Sequence, residues 1–107
     1  MIKVVFTYRT TKKDLPELRE KFAESGRNPK FYSEVTNQKI EMFQRKDGED
    51  VYIVLDIYYN SREEFEERTR FERSLPEWNA LWFAPDIKHT EVSVDVFDVL
   101  YPKDLLV

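Results

Sequence analysis

Residues 51–59 read Val-Tyr-Ile-Val-Leu-Asp-Ile-Tyr-Tyr, a segment that is apolar on both of its faces. Val51, Ile53, Leu55 and Ile57 alternate with Tyr52, Val54 and Tyr58, and β-branched and aromatic residues at period 2 predict a strand. Two apolar faces need cover above and below, which a central strand receives and an edge strand does not. The rest of the chain must therefore supply its neighbours. One stands directly upstream, where Ile40, Met42 and Gln44 alternate with Glu41, Phe43 and Arg45. Lys46-Asp47-Gly48-Glu49 joins the two runs, and Asp-Gly between alternating segments marks a tight turn because Gly accepts the positive φ it requires. A hairpin from Lys39 to Tyr59 follows.

The other elements are recognisable by their ends. Ile2, Val4, Phe6 and Tyr8 alternate with Lys3, Val5, Thr7 and Arg9 as a first strand. Asp14-Leu15-Pro16-Glu17 opens a helix with a capping Asp, Pro in the first turn and Glu three residues after the cap. Leu15, Leu18 and Phe22 form its apolar stripe, and Ser25-Gly26 stops it. Residues 27–37 are irregular, with Phe31, Tyr32 and Val35 expected to pack down on the core. Ser61-Arg62-Glu63-Glu64 is a capping box for a second helix, whose Glu64–Arg68 and Glu66–Arg70 pairs stand at the i, i+4 spacing. The charge run from Glu63 to Arg73 reads as a solvated helix face. Ser74-Leu75-Pro76-Glu77 repeats the start signal with Ser74 as cap, so a kinked second segment carries Phe71, Leu75, Trp78 and Trp82 as one stripe until Pro85-Asp86. Val92, Val94 and Val96 then alternate with Glu91, Ser93 and Asp95 as a last strand that runs on through Phe97 and Val99. The tail ends in Leu105-Leu106-Val107, a segment through which copies could assemble further.

The order β-α-β-β-α-β is the ferredoxin-like α+β plan, a four-stranded antiparallel sheet with the helices on one face, here in one domain over residues 1–107. The shared Leu-Pro-Glu helix starts are consistent with two copies of one β-α-β unit.

Composition narrows the function. The chain has no cysteine and one histidine, which removes disulfides, thiolate nucleophiles and Cys- or His-rich metal sites. It has no carboxylate cluster with metal spacing and no Gly-rich phosphate loop, so neither a metal nor a cofactor is expected. Its net charge of −4 repels phosphate backbones and anionic membranes. No run approaches the roughly 20 apolar residues of a membrane helix. Residues 1–6 are too short for a signal peptide, and a cytoplasmic protein is the expectation.

Helices on one face leave the other face to be covered. The helix side should carry Ile2, Val4, Phe6, Tyr8, Ile40, Met42, Ile53, Leu55, Ile57, Val92, Val94 and Val96. The reverse should carry Val5, Thr7, Phe43, Tyr52, Val54, Tyr58, Phe97 and Val99 among Arg9, Glu41, Arg45, Asp56 and Asp95. So apolar a patch marks an interaction surface, and its mixed charges suit a second copy. Val5, Phe43, Tyr52, Val54, Asp56 and Phe97 are the expected homodimer contacts.

The element order, the chain length and the two-sided third strand resemble the dimeric α+β-barrel superfamily, in which two ferredoxin-like subunits face their sheets together. Over about residues 57–82, Tyr58-Tyr59-Asn60-Ser61, the helical Arg68 and Arg70, and Leu75-Pro76-Glu77-Trp78 are similar to the aromatic, Arg-helix, Pro-x-Trp pattern of NIPSNAP-like proteins. The superfamily includes cofactor-free monooxygenases of antibiotic biosynthesis and haem-degrading proteins. The resemblance implies a pocket between sheet and helices that uses Trp, Asn, Tyr, Arg or His. The haem-degrading members place an Asn on the first strand, where this chain has Thr7 and Tyr8.

The expected function is binding of a small apolar or aromatic molecule in such a pocket, walled by Phe6, Tyr8, Trp78 and Trp82. The alternative is a cofactor-independent monooxygenase or isomerase with His89, Asn79 and Tyr58 as catalytic candidates. Each has a simpler role beside it: Trp78 and Trp82 as core packing, His89 as an exposed loop residue, and Asn79 as a solvent-facing or backbone-capping amide. Asp56 could be a poised acid or the partner of Arg9 or Arg45 across the dimer. RNA-recognition domains share the element order and stack bases on an open sheet, as Tyr52 and Tyr58 would permit. Their Gly-aromatic-Gly/Ala-Phe pattern is missing from the third strand, and the acidic charge opposes it.

Overall fold

A computed structural model describes residues 1–101, and the Leu105-Leu106-Val107 tail lies outside the described residues. The elements are β1 (Ile2–Thr11), α1 (Leu15–Arg27), a 3-10 turn (Pro29–Phe31), β2 (Lys39–Asp47), β3 (Asp50–Tyr59), α2 (Arg62–Arg73), α3 (Pro76–Trp82) and β4 (Thr90–Asp98). The strands form one antiparallel sheet in the order β2-β3-β1-β4. The two-sided strand lies inside the sheet, as its hydropathy requires. With helices inserted after β1 and β3, this is the ferredoxin-like α+β fold, and α3 packs against both α1 and α2.

The hairpin pairs Asp47 with Asp50 and turns through Gly48-Glu49. Among the described residues Gly48 alone takes a positive φ, +61°, which places glycine at the first central position of a two-residue loop. Ser61 caps α2 by accepting the Glu64 N–H at 3.2 Å. The other two helix starts differ from expectation. Asp14 already has helical backbone angles, and its carboxylate turns back to accept the Thr11 hydroxyl at 3.2 Å instead of capping α1. Ser74 closes α2, donating its hydroxyl to the Phe71 carbonyl, and Leu75 is the residue that precedes α3. Pro76 makes a side-chain cap there less necessary, because it has no N–H to satisfy.

One core cluster gathers Tyr8, Leu18, Val51, Ile53, Leu55 and Trp82, and a second gathers Ile2, Val4 and Tyr59. The outer strands are barer than the alternation implied. Ile40, Met42, Val92 and Val94 are each 41–50% exposed. Val92 misses the core for a further reason. The β1–β4 register slips between Thr7, which faces Ser93, and Tyr8, which faces Glu91, so Val92 has no partner across the ladder. This bulge sets Glu91 opposite Tyr8, where strict alternation would have placed Val92.

Candidate ligand cleft

The bare inner faces of β2 and β4 matter because the helices do not fill the space above them. A cleft of about 950 Å³ opens between the sheet and the helices. Its wall begins on β1, where Phe6 and Tyr8, two residues apart and so on one face, stack with ring centres 6.3 Å apart. It continues onto α3, where Trp78 and Trp82, one turn apart, lie 6.2 Å from each other. Tyr8 meets Trp82 at 5.7 Å, Phe22 of α1 meets Trp82 at 5.1 Å, and Phe31 meets Trp78 at 5.1 Å. The Trp82 indole donates to the Ser25 hydroxyl at 2.9 Å, and that hydroxyl donates to the Lys21 carbonyl at 2.8 Å, which fixes the ring's orientation. Packing and wall are therefore one set of rings: Trp82 is core, while Phe6 and Trp78 are half-buried and line the space.

His89 is half-buried in this wall and is not a free loop residue. Its imidazole stands edge-on to Tyr8 at 5.7 Å and to Trp82 at 5.4 Å. Burial, with the nearby Lys21 ammonium, holds its pKa below the ordinary histidine value, so the ring is neutral at neutral pH.

The polar side of the cleft comes from residues read as solvated in the sequence. Arg68 of α2 is only 8% exposed. Its Nε donates to Glu72 Oε2 at 3.0 Å and its Nη2 donates to the Phe31 carbonyl at 2.8 Å. The pairs formed on α2 are Arg68–Glu72 and Arg62–Glu66, in place of the anticipated Glu64–Arg68 and Glu66–Arg70. The signal was present but quiet. Phe65, Arg68, Thr69 and Glu72 follow the i, i+3, i+4, i+7 pattern of an inward stripe, disguised by charge. Burial raises the Glu72 pKa despite Arg68. Burial also raises the Tyr8 phenol, and it pushes Tyr59 up to about 12, with the Glu72 charge adding to both shifts.

Tyr59 makes a pH prediction. Its folded pKa lies above the ordinary 10.0, so its contribution to stability is complete below that pH and is lost as the pH climbs towards about 12. Denaturant unfolding is expected to show a loss of about 2–3 kcal/mol from this group across that window. Tyr59→Phe should flatten the decline, and an equally steep decline in the variant would remove Tyr59 as its source.

The three residues considered for catalysis are not brought together. Asn79 donates its amide to the Arg73 carbonyl at 2.8 Å, tying α3 to the end of α2, and it does not line the cleft. Tyr58 lies on the reverse of the sheet, where its hydroxyl donates to Glu41 Oε1 at 3.2 Å and the Lys39 ammonium sits 5.5 Å from its ring. As the residue between the inward-facing Ile57 and Tyr59, it has the opposite parity and points away from the helix side. Of the three, His89 alone lines the cleft. Among the described residues no group of three His, Cys, Asp or Glu is placed to hold a metal ion.

On the reverse face the strand pairings align Phe43, Val54, Thr7 and Ser93 in one row and Glu41, Asp56, Val5 and Asp95 in the next. Phe43 and Phe97 are about half exposed, while Val5, Tyr52, Val54 and Asp56 are half-buried. Asp56 pairs with Lys3 of its own chain at 3.6 Å, closer to hand than Arg9 or Arg45. Arg45 instead covers the Tyr52 ring at 4.4 Å, and Lys3 lies 5.9 Å from Phe97.

Fold and cleft together define a small α+β ferredoxin-like protein with an aromatic-lined space beneath its helices. No family model and no curated protein matches the chain. Among solved structures it is similar to a MhuD mutant crystallised with two manganese protoporphyrin IX bound per active site, at a TM-score of 0.69 and 16% identity over 95% of this chain and 97% of that one. At that identity the likeness shows the fold. No helix among the described residues is long and apolar enough to cross a membrane.

Proposed function

We propose that this chain binds a flat, largely apolar organic molecule in the cleft and works as a homodimer closed sheet to sheet. The observation that carries the binding is the unbroken aromatic wall of Phe6, Tyr8, Trp78 and Trp82 beside about 950 Å³ of space. Large concave apolar spaces with a few converging polar groups are the ordinary form of small-molecule sites. A place among the antibiotic-biosynthesis-monooxygenase-like or NIPSNAP-like proteins, acting in the cytoplasm, belongs to the same proposal.

The two tryptophans of the chain, Trp78 and Trp82, both line the cleft, which makes intrinsic fluorescence the test. Flat polycyclic aromatics should quench it saturably in the micromolar range. Quenching that stays linear with concentration, as for collision in solvent, would refute a binding site.

One observation favours a second reading, a metal porphyrin like that in the similar structure. His89 is the chain's single imidazole, it stands in the cleft wall, and its surroundings keep it in the neutral form that a metal ligand needs. The residues present thus fit such a group: His89 would hold the metal, with Tyr8 and Trp82 bracing its ring. A bound metalloporphyrin would supply a redox-active metal centre. Haemin titration read by absorbance should then give a ligation-shifted band in the wild type and not in His89→Ala, and identical spectra would discard this reading. The enzyme alternative keeps His89 as the proton carrier at the cleft.

A further inference from the structure

We propose that the Arg68–Glu72 pair, with Tyr8 and Tyr59, is the polar recognition point of the cleft, and that it selects an uncharged ring system carrying a hydroxyl group. This rests on the reading of the cleft as a ligand site.

All four residues line the cleft. Arg68 is anchored twice, to Glu72 on its own helix and to the Phe31 carbonyl on the turn after α1. Its charge is offset by Glu72, so the pair offers little net attraction to an anion. Glu72 Oε2 is occupied by Arg68, while Oε1 and the Tyr8 and Tyr59 hydroxyls have no hydrogen bond within the described chain. None of these three oxygens is sealed away, because every fully buried side-chain nitrogen or oxygen of the described residues has a partner. An acceptor-only oxygen and two accessible phenols therefore belong to residues that line one cleft, and the Glu72 charge acts on both phenols. A hydroxyl is the simple group that answers both kinds, giving its proton to Glu72 and accepting from a tyrosine. Hydrogen bonds to a carboxylate in such an apolar setting are stronger than neutral ones. A carboxylate on the ligand would instead meet Glu72 and Glu91, while of the other lining arginines Arg27 is engaged by Glu20 and Glu24 and Arg73 lies over the Phe83 ring.

Naphthalene, naphthol and naphthoate share one ring system and differ only at this group, so tryptophan quenching by the three isolates the selection. Naphthol should bind the wild type at least about tenfold tighter than naphthalene, with naphthoate weakest. In Glu72→Gln the side chain can still accept from Arg68, but the negative charge that offsets Arg68 is gone. The order should then invert, with naphthoate gaining at least about tenfold. Tyr59→Phe should narrow the preference for naphthol over naphthalene without admitting naphthoate. Equal wild-type affinity for naphthol and naphthalene, or a wild-type preference for naphthoate, overturns the selection even if Glu72→Gln fails to fold. An unchanged order in a folded Glu72→Gln overturns it as well. Failure of all three compounds to quench overturns the cleft as a ligand site, and with it this proposal.

Discussion

Trp82→Ala is expected to destabilise the protein by about 3–5 kcal/mol and to abolish aromatic ligand binding, in denaturant unfolding and in titrations of the remaining Trp78. The indole is 7% exposed and touches Tyr8, Phe22, Trp78 and His89, so its removal withdraws packing from α1, α3, β1 and the segment before β4 together. It also strands the Ser25 hydroxyl as an acceptor. A cavity left by so large a ring collapses poorly when the surrounding rings are themselves pinned. Trp82→Phe should cost less, because much of the ring contact survives, and what it does cost includes the lost bond to Ser25. If Trp82→Ala costs less than about 1 kcal/mol, the ring is not the keystone of this core.

The second large effect is on assembly. The wild type is expected to run as a dimer in gel filtration with light scattering, and Val54→Asp to run as a folded monomer. Val54 sits in the row with Phe43 and Thr7, directly beside the row holding Glu41 and Asp56. A new carboxylate there would be buried in the interface without a partner, at a cost of several kcal/mol, and would add to two existing negative charges. Circular dichroism separates loss of the dimer from loss of the fold. A monomeric wild type would sink the sheet-to-sheet interface outright. The cations over Tyr52, Tyr58 and Phe97 would then be the cover that this face has, and the open tyrosines would return base stacking to consideration.

How far the sequence carries can be judged from particular residues. The Asp47-Gly48 turn, the alternation of β1 and the capping box at Ser61 were legible because each depends on the backbone geometry of a few adjacent residues. Asp14 and Ser74 carried the same kind of signal and do not cap: one side chain found Thr11, and the other closed the preceding helix. A capping residue has several acceptors and donors within reach, and the path of the flanking chain decides among them. The cleft was legible in its aromatic half, since Phe6, Tyr8, Trp78 and Trp82 fall on predictable faces. Its polar half was not, because Arg68 and Glu72 look like any surface pair until the rotation of α2 about its axis is known.

Periodicity by itself determined the strands, the helices, their order and the central place of residues 51–59, since local backbone geometry sets all of these. Only the tertiary structure decided that a bulge at Val92 brings Glu91 to Tyr8, that His89 leans on two rings of the core, and that Asn79 and Tyr58 stand away from the cleft. Those outcomes depend on contacts between residues as many as 81 positions apart, such as Tyr8 with His89. The energy of such a contact comes from the packing of whole elements, which no short stretch of sequence encodes.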